Sequence, residues 1–210
     1  MTQIIISKIS LSLSILCLLS LLSSCATAPI TVSYYTLNSI RSESSLPVNK
    51  AANEQQPIIL LSAINLADFL ATGALVRQLK SHQIQLSNQH RWADNLTYAI
   101  TRSLLSKLEV MMPKYHFEKN DLRWKNQAQA YLKININQFT VLADNTTLTS
   151  GTFWLLDKEN KLLRKQSFRI NKQLSQAGYN HAVVQLELSI NTLAQQISPL
   201  LDAHDFDDTK

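Results

Sequence analysis

The sequence predicts an α+β fold, a mixed or antiparallel β-sheet covered on one face by two helices, in a single domain. Two observations supply the helices: Leu96, Ile100, Leu104, Leu108 and Met111 recur at steps of 4, 4, 4 and 3, and Tyr179, Val183, Leu186, Ile190, Leu193 and Ile197 at 4, 3, 4, 3 and 4. A third supplies the sheet. Between the helices, three β-rich segments follow one another through short polar turns, the pattern of a meander.

Ser33-Tyr34-Tyr35-Thr36-Leu37 reads as a first strand from its aromatic and β-branched content. Residues 38–57 are rich in Ser, Asn, Gln and Glu, contain Pro47 and Pro57, and read as a long loop. Ile58 to Asn65 is the second strand, and its unbroken Ile58-Ile59-Leu60-Leu61 run predicts cover on both faces. Leu66 to Leu70 is expected to turn. Ala74 to Leu79 and Ile84 to Ser87 read as two short hairpin strands.

The first helix is expected from Asp94 to Met111, with Asp94 as N-cap and Pro113 as the stop. Trp92, just ahead of it, is placed to pack over its first turn. A long strand follows at Ala128 to Leu142. Leu132, Ile134 and Ile136 share one face, but Phe139 and Val141 take the other phase, which predicts a bulge near Gln138. Leu148 to Leu156 is next, apolar in both phases and therefore flanked on both sides. Asp157-Lys158-Glu159-Asn160 turns the chain into Leu162 to Ile170. The last helix is expected from Tyr179 to Ile197, with Gln185, Glu187, Ser189, Asn191 and Gln195 off its apolar stripe.

Ahead of all this, a 14-residue apolar run from Ile9 to Leu22 ends in Leu22-Ser23-Ser24-Cys25. The run is short for a spanning helix of about 20 residues and carries serines at 10, 12, 14 and 20. It has the layout of a secretory signal peptide. A cysteine just after the cut makes it resemble a bacterial lipoprotein signal, in which Cys25 receives the acyl chains. A signal without lipidation would leave Cys25 as a lone thiol in an oxidising compartment. Ala26 follows, not Asp, which in signals of this kind points to the outer membrane. The expected layout is a signal peptide at 1–24, a tether at 25–33, the domain at 34–200 and an acidic flexible tail at 201–210. The tether residues 26–33 span at most about 26–29 Å, so the body begins close to the membrane.

Removing residues 1–24 leaves 186 residues, enough for one substantial core. Cys17 leaves with the signal, so no disulfide can form within one mature chain. The formal charge of +5 falls to +4 without Lys8; residues 201–210 carry −3, leaving +7 over residues 25–200. Such a body suits anionic lipid or an acidic partner surface. Export and anchoring argue against nucleic acid.

The pattern of chemistry-bearing residues points away from catalysis. His82, His90, His116, His181 and His204 form no close ligand pair. Gly73, Gly151 and Gly178 are the only glycines, which argues against a phosphate-binding loop, and no nucleophile elbow surrounds Ser150-Gly151. No catalytic residue, metal set or cofactor is therefore assigned. Trp154 is expected in the core. Trp124 lies between Arg123 and Lys125 in a polar segment, and these three are the candidate partner-binding residues.

Several segments together resemble the auxiliary lipoproteins of ABC-type transport systems. They are Cys25 with Tyr34-Tyr35-Thr36-Leu37, then Leu66-Ala67-Asp68-Phe69-Leu70, and His90-Arg91-Trp92-Ala93-Asp94-Asn95-Leu96 leading into a helix. Gly151-Thr152-Phe153-Trp154-Leu155-Leu156, Phe168-Arg169-Ile170 and Gly178-Tyr179 complete the series. The resemblance runs over nearly the whole mature chain. It implies a non-catalytic protein, held in the membrane by N-terminal acyl chains on the periplasmic face of the outer membrane. The partner it implies is an MCE-domain protein of a Pqi-type or related lipid transporter. Because such partners form rings, it also admits a homo-oligomer. The rival reading is an independent structural lipoprotein of the envelope with no part in lipid transport.

Overall fold

The computed structural model describes residues 31–37, 56–204 and 206. The expected signal peptide, Cys25, most of the tether, most of the 38–57 loop and residues 205 and 207–210 of the expected tail lie outside the described residues. The architecture is organised around one long strand. We label the elements β1 Ser33–Tyr35, β2 Ile58–Leu61, β3 Asn65–Leu66, β4 Ala74–Lys80, β5 Gln83–Trp92, α1 Leu96–Met111, β6 His116–Lys119, β7 Ala128–Leu142, β8 Thr146–Asp157, β9 Leu162–Gln173 and α2 Tyr179–Asp202. A short 3-10 turn covers Asp68–Leu70.

β7 pairs antiparallel with β8 along one edge, and β8 pairs antiparallel with β9. Its other edge takes β2, β3 and β4 in succession, all parallel to it. β6 adds beside β2, β5 beside β4, and β1 beside β5. The result, among the described residues, is one mixed sheet of nine strands. The meander is as expected, and its middle strand β8 has a neighbour on each side. The bulge is present too: the β7–β8 register shifts between Ile136 and Gln138, where the apolar phase changes.

Both helices pack on one face. Leu96, Ile100, Leu104 and Leu108 of α1 and Val183, Leu186, Ile190, Leu193 and Ile197 of α2 are buried. They meet Leu132, Ile134, Ile136, Phe153, Leu155, Phe168 and Ile170 from the sheet in one core. Trp92 joins that core with its ring 5.9 Å from Phe139. The Ile58–Leu61 run is buried on both faces: Ile59 and Leu61 enter the main core, while Ile58 and Leu60 join a second cluster with Ala128, Tyr131 and Leu156.

Several boundaries differ from expectation, each for a physical reason. Ile58–Asn65 is two strands. Leu61 faces Leu132 and Asn65 faces Asn135, so four steps on one side meet three on β7, and the extra residue breaks the ladder. Leu66 therefore ends a strand and does not begin the turn. The N-cap of α1 is Asn95, whose Oδ1 accepts from the Tyr98 N–H at 3.3 Å. Asp94 instead holds Arg102 at 2.9 Å. The β4–β5 arm is longer than its apolar alternation indicated. α2 continues through Pro199 to Asp202. A proline in the last turn forfeits its bond to the carbonyl four residues back, and that residue, Gln195, is exposed to water. Leu201, fully buried, holds the extra turn in the core, and Tyr115 donates its hydroxyl to the Leu201 carbonyl at 3.2 Å. β6 is a strand that the sequence did not announce. Among its four residues only Phe117 is apolar, and it pairs only with β2.

Candidate functional site

The histidines do not converge. Nδ1 of His90 bonds the Tyr35 hydroxyl at 2.9 Å, and its ring stacks on Tyr179 with centroids 4.0 Å apart. His116 sits between the carboxylates of Glu109 and Glu118, each at 3.4 Å. His181 bonds the Ser175 hydroxyl at 3.1 Å. These are structural contacts between neighbouring elements. Among the described residues no three His, Cys, Asp or Glu side chains are grouped to hold a metal ion.

The chemistry that does converge is aromatic and basic. It lies on the sheet face away from the helices, beside the start of β7. The segment before β7 folds into a turn in which Trp124 N–H donates to the Asp121 carbonyl at 3.1 Å. Asp121 organises it. Its carboxylate accepts from the Arg123 N–H at 3.0 Å and from the Arg123 guanidinium at 3.3 Å. The backbone bond first, and the guanidinium second, hold the Asp121 carboxyl below its usual range. Arg123 is thus engaged within the turn.

Trp124 is half-buried. It packs with Trp154 against Ile58, Leu60, Ala128, Tyr131 and Leu156, and its ring lies 5.8 Å edge-on from His116. Trp154, expected in the core, is half-buried and packs against this second core cluster. Register explains its neighbours. Lys133 of β7 faces Trp154 of β8, and Trp154 faces Lys165 of β9. Lys165 Nζ stands 5.8 Å from the Trp154 ring centroid, within range of a cation–π contact. Lys125 is exposed. With Tyr131, Lys133 and Leu122 it lines an open cleft of about 370 Å³. Leu122 is 84% exposed, an apolar side chain presented on a basic surface.

The structure thus brings Trp124 and Lys125 together with Lys133, Trp154, Lys165 and Leu122. Sequence reasoning had not joined the last four to the site. Lys133 was visible as the polar phase of β7, but pairing it with Trp154 and Lys165 requires the register of three strands. Aromatic side chains flanked by cations, with one exposed leucine, suit a binding surface for an acidic or amphipathic partner.

The family model for the ABC-type transport auxiliary lipoprotein component matches residues 35–198. Among curated proteins, the chain is 24% identical over 162 residues to the intermembrane transport lipoprotein PqiC of Escherichia coli strain K12 and of Shigella flexneri. The match covers 77% of this chain and 82% of those proteins. Two crystal structures share the fold. One is of an uncharacterized protein, with a TM-score of 0.68, 20% identity, and coverage of 81% of this chain and 99% of that one. The other is of a Xanthomonas campestris protein, with a TM-score of 0.60, 12% identity, and coverage of 84% and 93%.

Proposed function

Because the chain belongs to the ABC-type transport auxiliary lipoprotein family, we propose that it is a non-catalytic, lipid-anchored docking component of an intermembrane lipid transport system. In this reading Cys25 carries the acyl chains and holds the protein on the periplasmic face of the outer membrane. The surface around Trp124 and Lys125 then receives an MCE-domain partner, and the docked assembly supports envelope integrity. The curated relatives, by name intermembrane transport lipoproteins, support the transport setting.

One observation carries the docking reading: the two ends of the sheet differ. β1 lies parallel to β5 with Ser33 beside His90, so the N-terminal end of β1 points toward the side of the β4–β5 turn. That turn lies at the same end as Leu142, because Gln78 of β4 faces Leu142 of β7. The Trp124 surface adjoins Ala128, at the opposite end of β7. Fourteen steps separate Ala128 from Leu142, about 46 Å at strand rise. An anchor at one end leaves the aromatic, basic end directed away from the membrane, where a partner spanning the periplasm would reach it. No described helix is long and apolar enough to cross a membrane.

The deciding experiment is co-purification of the full-length, lipidated protein with an MCE-domain protein from the same organism. Capture that weakens on Lys125→Glu/Lys133→Glu supports the proposal. Absence of capture, together with unchanged envelope permeability in a deletion strain, overturns it in favour of an independent structural lipoprotein.

A further inference from the structure

We propose that the tether end of the sheet rests on the bilayer and binds phosphate groups of anionic lipids through Lys80 and Arg169. The proposal rests on the reading that Cys25 carries the anchor. It adds a second, electrostatic contact and fixes which end of the domain meets the membrane.

Reach carries the argument. Eight steps separate Cys25 from Ser33, so the acylated residue is at most about 26–29 Å from the start of β1. From its position beside Ser33, β5 extends back from His90 to Gln83, about 23 Å at strand rise. The β4–β5 arm therefore takes up most of the distance that the tether allows. An upright domain cannot lift the tip of this arm more than a few ångströms clear of the surface.

The composition of that end fits the contact. Leu79, Lys80, Leu142, Leu148, Asp144 and Arg169 line a solvent-open cleft of about 280 Å³. Two cations from different strands thus flank a largely aliphatic floor. Asp144 is the one carboxylate there, and its Oδ1 is occupied by the Thr146 N–H at 3.1 Å and the Thr146 hydroxyl at 2.7 Å. Among the described residues, neither Lys80 nor Arg169 is in an ion pair, nor is Lys172 near the end of β9. Cations left unpaired beside a surface carrying anionic phosphates gain favourable Coulomb energy there. The arm and β1 also expose Ile84 (42%), Leu86 (40%) and Tyr34 (65%), side chains suited to the headgroup boundary. The occupant that both the tether length and the charge select is the bilayer itself.

The test uses the full-length lipidated protein in two sets of vesicles, phosphatidylcholine alone and phosphatidylcholine with phosphatidylglycerol, read by amide hydrogen exchange. Residues 79–84 and 142–146 should exchange more slowly on the anionic vesicles, by up to roughly thirtyfold, the factor two surface cations together contribute at such a bilayer. Residues 121–126 at the far end should not change. Lys80→Gln/Arg169→Gln should abolish the difference while leaving exchange in α1 and α2 as in the wild type. Equal exchange on the two vesicle types overturns the proposal, and the wild-type comparison alone decides this if the variant does not fold. Protection by inorganic phosphate on phosphatidylcholine vesicles also overturns it, since the source would then be the free ion. Flotation with the phosphatidylcholine vesicles reads the anchor separately, so loss of flotation marks failure of the underlying reading.

Discussion

The hydroxyl of Thr149 in β8 lies 2.6 Å from that of Ser189 in α2, buried between sheet and helix. Ser189 Oγ donates to the Leu186 carbonyl, also at 2.6 Å, so its one proton is committed and Thr149 must be the donor to it. Both groups are thereby satisfied in a region closed to water. Ser189→Ala strands the Thr149 hydroxyl and should cost about 1–3 kcal/mol. Adding Thr149→Val removes the stranded group, so the double variant should be less destabilised than the sum of the singles. Denaturant melts of the four proteins measure this coupling. Strict additivity would show that the two hydroxyls act independently.

Gly151 is the second point where one atom decides. It faces Ile136 on β7 and Phe168 on β9. A Cβ there would stand 1.9 Å from the Asn135 carbonyl oxygen and 2.9 Å from Phe168 Cζ. The obstacle is backbone, beside the β7 bulge, and cannot rotate aside. Gly151→Ala should therefore destabilise by at least the about 1–3 kcal/mol of an overpacked core. A thermal melt close to wild type would mean that the strands part here at little cost.

These two positions show how far the sequence was legible. Helical stripes and strand alternation are local, periodic signals, and they located both helices, the meander and the β7 bulge. Ser189 was read as lying off the stripe because its type is polar; it is buried because Thr149, 40 residues away, meets it. β6 was missed because His116-Phe117-Glu118-Lys119 has no period to detect. The β2–β3 break depends on step counts along β7. The site was legible only as Arg123-Trp124-Lys125. Its cross-strand row of Lys133, Trp154 and Lys165 exists through register, which no single segment encodes.

Glu187 gives a pH dependence. Burial, the larger effect, raises its carboxyl above the ordinary value near 4.5, and Lys107 at 3.7 Å offsets this only in part. A raised folded-state pKa favours the folded protein below the unfolded value, and that contribution is lost as pH rises through the folded value. A glutamine at this position would mimic the protonated form at every pH. Glu187→Gln should therefore be at least as stable as the wild type at neutral pH, by up to about 0.5 kcal/mol, and the gap should close below the ordinary carboxylate range. Melting temperatures across that range test the sign. A variant that loses ground as pH rises would show that the Lys107 pair outweighs burial.

The proposed docking surface separates binding from folding. Lys125 and Lys133 are exposed, and neither is in an ion pair among the described residues. Lys125→Glu/Lys133→Glu should leave stability within about 0.5 kcal/mol per site. Reversing charge at the rim of an interface acts mainly on the association rate and its salt dependence, so partner capture should slow and become less sensitive to salt. Trp124 differs because it is half-buried against Ile58, Leu60 and Tyr131. Trp124→Ala should lower both stability and capture, the stability loss staying below the about 3–5 kcal/mol of a fully buried tryptophan. Association kinetics at two salt concentrations, beside melts of each variant, read the two effects apart. Unchanged kinetics in the double lysine variant would exclude this face as the docking surface. A Trp124→Ala protein that melts lower yet binds as the wild type would make the tryptophan purely structural.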